Sequence, residues 1–525
     1  MAASLPQLRM PAERSAPPRE LEIRPKQVKA WIESLPLAQT LDASKQLAAH
    51  LASINRSKID LDDRIQILES YRIVAATALE ELDAIYGKAA LPLGPRARDA
   101  LALARELAFE LAAGYKIAIA EKTGKRIAFG AKKQLPVLVL RAVEYLGHEL
   151  RASYKSYTAV PGAAWHELHQ LYLFAEKEGI ASEPADTETK ATVMDAYCEA
   201  LLLSLTDPYR LVHGEADRIT AQIRALRGLV TVGQSRPATP QGGHFLVPCD
   251  TDKAPKPLLS ANDDTGGANW RLLDTNPLVE KLRARKLAHE TGNVSQTLSR
   301  SVSPEALALM GKLIVLWGSP PKRANRRDPM EASAAICVGL KSVSHFISLE
   351  PKVDVAREAD AIRAGITMPL LSVPDDDSKG FPVHEWDVVN QSAGGVKVRR
   401  TSDRLQPLMV GEVVALKLIG RAHWTIGVAR WITQLDEGGL EFGVQFLSAA
   451  ARAVWVQPAH SASPQAKLGI VLADDASAQA LLTLPNMFME LRVFELGAEG
   501  RVWTVRATGL IERTARFDLF DVSGC

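Results

Sequence analysis

The sequence predicts a multi-domain α+β protein with an all-α N-terminal half and a C-terminal half of short antiparallel strands. Apolar residues recur at steps of three and four from about Gln27 to Leu226, the period of amphipathic helices. From about Trp386 onward the period is two, with glycine-bearing and polar turns between the runs, as in strands. A chain of 525 residues is long enough for about three domains.

Composition excludes several classes of protein. The chain has 63 Lys and Arg residues and 61 Asp and Glu residues, so its net charge is too small to attract it to nucleic acid or to a membrane. No apolar run is long enough to span a bilayer. Met1–Lys26 is rich in Pro, Arg and Glu and lacks the apolar core of a secretory signal. We therefore expect a cytoplasmic protein in which residues 1–26 form a disordered tail.

The cysteines and histidines predict no metal site. Four cysteines have no paired spacing, so neither a zinc site nor a disulfide framework is expected, and reduced structural thiols are predicted. His166 and His169 are three positions apart instead of the four of a zinc-protease helix. The cysteines are Cys198, Cys249, Cys337 and Cys525.

The helical half, residues 27–226, is predicted as helices joined by short turns, which indicates a bundle or an array of helical hairpins. Gly87 can end a helix that begins near Leu61, and Leu91–Pro95 then breaks the chain. Pro161 introduces a helix whose large apolar side chains follow one side, a spacing similar to the first helix of a tetratricopeptide repeat. They are Trp165, Leu168, Tyr172 and Ala175. No second copy follows, so the alternatives are an ordinary core helix and a surface that docks a protein partner.

A mixed connecting region is predicted over residues 227–320. It contains short strands, a helix over Asn276–His289 and a further helix over 303–317. Ser303 supplies an N-cap for this last helix, followed by a proline and an acidic first turn. The helix ends directly before a cluster of arginines, so a ligand that orders those arginines could reposition the helical half.

A polar turn within Trp386–Val398 is predicted to form a β-hairpin. It contains Asn-x-Ser-x-x-Gly, formed by Asn390, Ser392 and Gly395. The amide offers donors and acceptors, the hydroxyl adds another, and glycine permits positive φ or a close approach of the backbone to a ligand. Such a turn can bind the edge of a planar heterocycle, and an ordinary turn is the alternative.

The strand pattern and two short motifs resemble those of the PilZ domain, a small β-barrel family that binds the bacterial second messenger cyclic di-GMP. Alternating runs at 411–418, 424–431 and 440–446 follow the polar turn. The second motif of the family, Arg-x-x-x-Arg, is matched by Arg323 and Arg327. The resemblance covers about residues 320–460.

The resemblance implies a non-enzymatic receptor for cyclic di-GMP, in which one or two antiparallel β-barrels of PilZ type follow the helical half. Guanidinium groups form forked hydrogen bonds with phosphate and stack on guanine, and the Asn/Ser turn would contact the guanine edge. The ligand-binding residues implied are Arg323, Arg326, Arg327, Asn390, Ser392 and Gly395. The alternative for the arginines is a basic linker between domains.

The spacing of the motifs predicts an insertion. Arg327 and Asn390 stand 63 positions apart, which exceeds the family's usual few tens of residues. We place the excess at about 350–382, within a barrel over 321–460 and after a first strand at Ala335–Ile347. Residues 461–525 carry four more predicted strands, which either extend this barrel or form a second β unit. Four tryptophans are predicted to lie in barrel cores: Trp386, Trp424, Trp431 and Trp455.

No motif supports catalysis, because the chain lacks a Walker loop, a nucleotide-binding glycine turn after a strand, a nucleophile elbow and a CxxC pair. We expect ligand binding to be relayed to an unidentified protein partner through the helical half. The alternative is a PilZ-like scaffold that acts through protein contacts without the ligand. Nucleic-acid binding through the Lys322–Arg327 cluster is disfavoured by the balanced charge elsewhere.

Overall fold

The computed structural model divides into two compact units. The first comprises Met1–Ala89 and Leu93–Lys322, and the second comprises Ala90–Pro92 and Arg323–Cys525. The structure describes residues 8–12, 16–124, 134–291, 303–319, 326–350, 380–402, 405–418, 423–436, 438–459, 465–475, 478–498 and 500–524.

Helices dominate the first unit, as predicted. They are α1 Pro25–Glu33, α2 Thr40–Asn55, α3 Leu61–Tyr86, α4 Pro95–Gly124, α5 Leu135–Lys155, α6 Ala164–Glu178, α7 Val193–Ser204 and α8 Glu215–Ala225, with a 3₁₀ turn at Pro208–Arg210. Asp60 caps α3 by accepting a hydrogen bond from the Asp62 amide at 2.9 Å. The central helix is α4, which packs against α2, α3 and α5. Gly114 permits this close packing, because a Cβ there would lie 2.5 Å from Leu68 Cδ2.

The apolar side of α6 belongs to the core of the first unit, so the core-helix alternative is correct for this side. Its four large apolar residues, from Trp165 to Ala175, are buried. His169 is buried beside them, where its Nε2 lies 2.9 Å from the Lys253 carbonyl and its Nδ1 lies 2.7 Å from the Tyr197 hydroxyl. Burial lowers the pKa of His169 to about 4. This histidine is a neutral, hydrogen-bonded core residue.

A small sheet and two helices complete the first unit. The strands β1 Thr231–Gly233, β2 His244–Pro248, β3 Lys256–Pro257 and β4 Trp270–Asp274 pair in the order β1-β4-β2-β3, and the helices are α9 Asn276–Glu290 and α10 Pro304–Gly318. Ser303 caps α10 as predicted, accepting from the Ala306 amide at 3.3 Å. Trp317 anchors its other end: the buried indole donates to the Leu202 carbonyl at 3.0 Å.

The second unit contains a closed six-stranded antiparallel barrel. Its strands are β5 Asp328–Val338, β6 His384–Ser392, β7 Gly395–Arg400, β8 Val413–Leu418, β9 Thr425–Gln434 and β10 Leu440–Ser448, in the order β10-β7-β6-β5-β8-β9. Trp386 and Phe442 pack edge to face inside it, with ring centroids 4.9 Å apart. This barrel confirms the predicted fold class.

The predicted first strand, Ala335–Ile347, is wrong beyond its first four residues, and the observed strand begins earlier, at Asp328. β5 ends at Val338, Gly339 takes φ 89°, and a helix α11 covers Leu340–Ser348. Buried apolar residues on α11 recur at helical spacing, a signal that the continuous apolar run at the end of β5 concealed. The predicted insertion at about 350–382 falls largely on 351–379, outside the described residues.

The last predicted strands belong to a second closed barrel instead of extending the first. It consists of β11 Ala451–Pro458, β12 Lys467–Asp475, β13 Ala478–Thr483, β14 Val493–Ala498, β15 Arg501–Arg513 and β16 Asp518–Gly524, in the order β11-β12-β13-β16-β15-β14. β11 begins before the predicted boundary at 460, and neither β11 nor β13 was among the predicted strands. Arg430 of the first barrel forms an ion pair with Glu512 of the second.

Two further predictions concern the membrane and the thiols. Among the helices that the structure describes, none is both long enough and apolar enough to cross a bilayer. Cys198, Cys249 and Cys337 are buried free thiols. Burial raises the pKa of Cys198 to about 12 and that of Cys249 to about 11, so these thiols are protonated packing residues.

Candidate ligand-binding site

The pairing of β5 with β6 brings the arginine segment and the polar turn together. Asp328 pairs with Gln391 and Pro329 pairs with Asn390 in antiparallel register. Arg327 directly precedes Asp328, so it enters the barrel beside the end of β6, where Ser392 stands. Residues 63 positions apart in sequence therefore meet at one edge of the barrel.

The insertion lies at the opposite end of the same strand pair. There Ile336 pairs with His384, and the chain between β5 and β6 leaves and re-enters the barrel beyond these two residues. Between this pair and the Asp328–Gln391 pair the strands rise by roughly 26 Å. The length of the insertion therefore does not set the spacing between Arg327 and Asn390, because the strand register fixes it.

The polar groups at this edge are available to a ligand. Arg326 and Arg327 are exposed, and the Arg326 Nε lies 3.4 Å from Asp328 Oδ1. Within the described residues Arg327 has no ion-pair partner, and the side-chain amide of Asn390 has no hydrogen-bond partner. Ser392 Oγ donates to the Gly395 carbonyl at 3.3 Å. Arg323 lies outside the described residues.

The reason for glycine at position 395 differs from the predicted one. Gly395 begins β7 and does not take a positive φ. A Cβ at this position would lie 2.2 Å from the Val444 carbonyl oxygen of β10, which forbids any side chain. Gly395 therefore allows β7 and β10 to approach closely, and its contribution to a ligand site is indirect.

A row of outward-facing residues extends the edge across the barrel. Asn390 pairs with Lys397, Lys397 with Gly443, and Gly443 with Trp431, so one line crosses four strands. The Lys397 Nζ lies 5.9 Å from the Trp431 ring centroid and 2.8 Å from Glu441 Oε1. An ammonium group beside an aromatic ring can contact an anionic, planar ligand.

The tryptophan prediction is correct for two of the four residues. Trp386 and Trp424 are buried. Trp431 and Trp455 are only half-buried. Trp431 lies across Gly443 on the outside of the barrel, where a Cβ on this glycine would meet the indole nitrogen at 2.0 Å. Sequence reasoning missed Lys397 and Trp431 as site neighbours, although the alternation Gly-Val-Lys-Val-Arg in β7 already indicates that the lysine faces outward.

The chemistry of this edge suits the binding of an anionic, planar ligand. It offers guanidinium groups, an ammonium group, an amide and an aromatic ring, which suit phosphate oxygens and planar bases. Over the ranges that the structure describes, no group of three His, Cys, Asp or Glu side chains could hold a metal ion.

Comparison with known proteins identifies two domains in this chain. The family model described as "Cyclic-di-GMP receptor FimW, N-terminal domain" matches residues 26–238, and "Cyclic-di-GMP receptor FimW, middle PilZ domain" matches 244–365 and 363–453. A curated relative, the cyclic-di-GMP receptor FimW of Pseudomonas aeruginosa, is 25% identical over an alignment of 483 residues, and the match covers 82% of this chain and 78% of the relative.

These matches extend the predicted resemblance in two directions. The PilZ model begins at residue 244, so it includes the sheet β2–β4 and helices α9 and α10, upstream of the predicted start at 321. A resemblance was predicted for the C-terminal half alone, whereas the helical half also matches a receptor domain. The chain belongs to the PilZ-domain proteins and shares with the FimW receptors both the helical N-terminal domain and the middle PilZ domain.

Proposed function

We propose that this chain is a cyclic di-GMP receptor whose ligand binds at the edge of the first barrel where β5 begins and β6 ends. The register of these two strands is the observation that supports the proposal, because it places Arg327 beside the Asn390–Ser392 segment. The similarity to a cyclic-di-GMP receptor supports the identity of the ligand.

Each polar group has a role that its chemistry suits. Arg323 and Arg327 form forked hydrogen bonds with the phosphates and stack on guanine, with Arg326 adding positive charge. The Asn390 amide, which is free in the described residues, binds the guanine edge together with the Ser392 hydroxyl.

The proposal includes a relay to a protein partner through the helical unit. The arginines lie in residues 319–327, the segment of chain that joins α10 to β5. The end of α10 is fixed within the first unit by the Trp317 indole, which donates to the Leu202 carbonyl. A ligand that holds the arginines therefore constrains the segment leading directly to an anchored helix. We place this receptor in the cytoplasm, since its described cysteines are buried free thiols.

Calorimetric titration of cyclic di-GMP into the full chain tests the proposal. We expect micromolar or tighter binding, and at least about tenfold weaker binding for Arg327→Ala and for Asn390→Ala. For Arg327, a hydrogen bond to a charged group contributes about 1.5–3 kcal/mol. For Asn390, a guanine group left buried without its partner costs about 1–3 kcal/mol, and about 1.4 kcal/mol corresponds to tenfold in affinity. Arg452→Ala, which removes an exposed arginine of the second barrel, is the matched control and should bind normally.

The outcomes separate the alternatives. Binding that survives Arg327→Ala and Asn390→Ala would place the ligand elsewhere on the molecule. No binding by the unaltered chain would reject the receptor proposal in favour of a scaffold that acts through protein contacts. Binding to unrelated RNA or DNA at low salt would indicate that the arginines act as a general anion site.

A further inference from the structure

A buried cluster of charged groups lies within the helical unit, far in sequence from the PilZ motifs. Lys116 from α4, Glu149 from α5 and Glu167 from α6 meet there, and their side chains are at most 3% exposed. Lys116 Nζ lies 3.0 Å from Glu167 Oε1. Two carboxyl groups therefore face one ammonium group in the interior of the unit.

The fourth member of the cluster comes from the N-terminal segment that composition predicts to be disordered. The Arg9 guanidinium reaches Glu167 through Nε at 3.0 Å and through a terminal nitrogen at 2.9 Å, and its backbone amide donates to the same carboxylate. The guanidinium also lies 5.7 Å from the Phe109 ring centroid. This arrangement combines an ion pair, in which two guanidinium nitrogens approach one carboxylate oxygen, with a cation–π contact.

The pocket places a buried carboxylate where a guanidinium group can reach it. Without Arg9, the Glu167 carboxylate would lose one of its two cationic partners, and removing one partner of a buried ion pair is strongly destabilising. Lysine has a single side-chain nitrogen and could not place two nitrogens beside Glu167 Oε2 as Arg9 does. Glu149 lies at the same pocket, with its Oε2 3.8 Å from Arg9 and its buried Oε1 without a hydrogen-bond partner.

Arg9 makes the polar contacts of the segment, and Leu8 and Pro11 are partly buried. Residues 8–12 have no regular secondary structure, and among them only Arg9 has a hydrogen bond or ion pair in the described part of the chain. Its side chain is 35% exposed, so the pocket opens to solvent on the side from which the arginine enters, and Met10 beside it is exposed. Such a contact can be exchanged for an equivalent one from another chain.

We infer that the pocket formed by Phe109, Lys116, Glu149 and Glu167 is a docking site for an arginine-bearing segment of a protein partner, occupied in this chain by its own Arg9. The occupant shows the chemistry of the partner, a single arginine in a segment without regular structure. The buried Glu167 carboxylate supplies the charge complementarity. Arg9 thus acts as an intramolecular competitor that a partner segment displaces. This inference does not depend on cyclic di-GMP binding.

Fluorescence anisotropy with a labelled peptide of residues 5–15 of this chain tests the inference. The full-length Arg9→Ala variant should bind the peptide at least about tenfold more tightly than the unaltered chain, whose pocket is already filled. A peptide with alanine in place of Arg9 should bind at least about tenfold more weakly to the variant. Arg19→Ala, an exposed arginine of the same terminal region, is the control and should behave like the unaltered chain.

Two further observations keep the test decisive. If Arg9→Ala does not fold, Arg9→Lys keeps the positive charge with a single side-chain nitrogen. The arginine peptide should then displace this lysine from the pocket. The inference is overturned if a folded variant does not bind the peptide, or if it binds the alanine-substituted peptide as tightly as the peptide with arginine. Failure of both variants to fold also overturns it, because Arg9 would then be part of the fold. In every folded variant cyclic di-GMP titration should match the unaltered chain, which separates this site from the barrel site.

Discussion

The buried carboxyl group of Glu149 gives the helical unit a predictable dependence on pH. Burial raises the pKa of Glu149 from 4.5 to about 7, against the opposing effect of the nearby Arg9 and Lys116 cations. In the folded chain this carboxyl group therefore holds its proton through mildly acidic conditions, whereas in the unfolded chain it ionises at its ordinary pKa. The unfolded state loses this proton first as pH rises, so the carboxyl group stabilises the fold at low pH and this stability is lost as pH rises through the folded pKa.

The magnitude follows from the difference between the two pKa values. One pKa unit corresponds to about 1.4 kcal/mol, so raising the pH from about 5 to about 8 should remove about 2–3 kcal/mol of folding free energy attributable to this group. Glu149→Gln has nearly the same shape and cannot ionise. The free energy of unfolding of the unaltered chain should therefore fall by this amount relative to the variant over that pH range.

Urea unfolding followed by far-ultraviolet circular dichroism measures the difference, because the helical unit dominates that signal. Glu183→Gln removes an exposed carboxyl group of the same unit and should show no such trend. If the difference in free energy of unfolding between the unaltered chain and Glu149→Gln is constant over this pH range, the reasoning is refuted. It would mean that Arg9 and Lys116 keep Glu149 ionised despite its burial.

Two further predictions concern packing. Gly395→Ala should destabilise the second unit by about 1–3 kcal/mol in thermal unfolding, because its Cβ would lie 2.2 Å from the Val444 carbonyl. Gly509→Ala, whose Cβ would meet nothing nearer than 3.5 Å, should have a much smaller effect, and equal effects would contradict this steric account. Trp317→Phe should cost the first unit about 1–3 kcal/mol in urea unfolding, because the Leu202 carbonyl loses its buried donor. An unchanged midpoint would show that another group satisfies this carbonyl.

The elements that sequence predicted best are those whose signals are local. Ser303 indicated the start of α10, and the break at Leu91–Pro95 separated α3 from α4, because caps and breakers act within a few residues. α11 was missed because β5 and α11 form one apolar stretch with a single glycine, Gly339, between them. Closure of the second barrel was not predictable, since it depends on pairing between β11 and β14, which are distant in sequence.

The candidate site was predicted in its residues but not in its geometry. The motifs predicted that Arg327 and Asn390 belong to one site, and the register that places them at the same edge depends on strands separated by the predicted insertion. For Arg9, the sequence predicted neither the contact nor the residues that form it. The composition of the terminal segment indicates disorder, and a pocket made by three helices distant in sequence holds a single arginine of that segment.

The two ends of the β5–β6 pair explain why the insertion and the site are compatible. One end, at Ile336 and His384, continues into α11 and the inserted residues. The other end, at Asp328 and Gln391, continues upstream into residues 319–327 and then α10. Extra length at the first end leaves the register at the second unchanged, because strand pairing fixes the positions between them. Under the proposed function, a ligand held at the second end would constrain the chain that leads to α10, so we expect ligand binding to depend on this end of the barrel and to tolerate changes in length at the other.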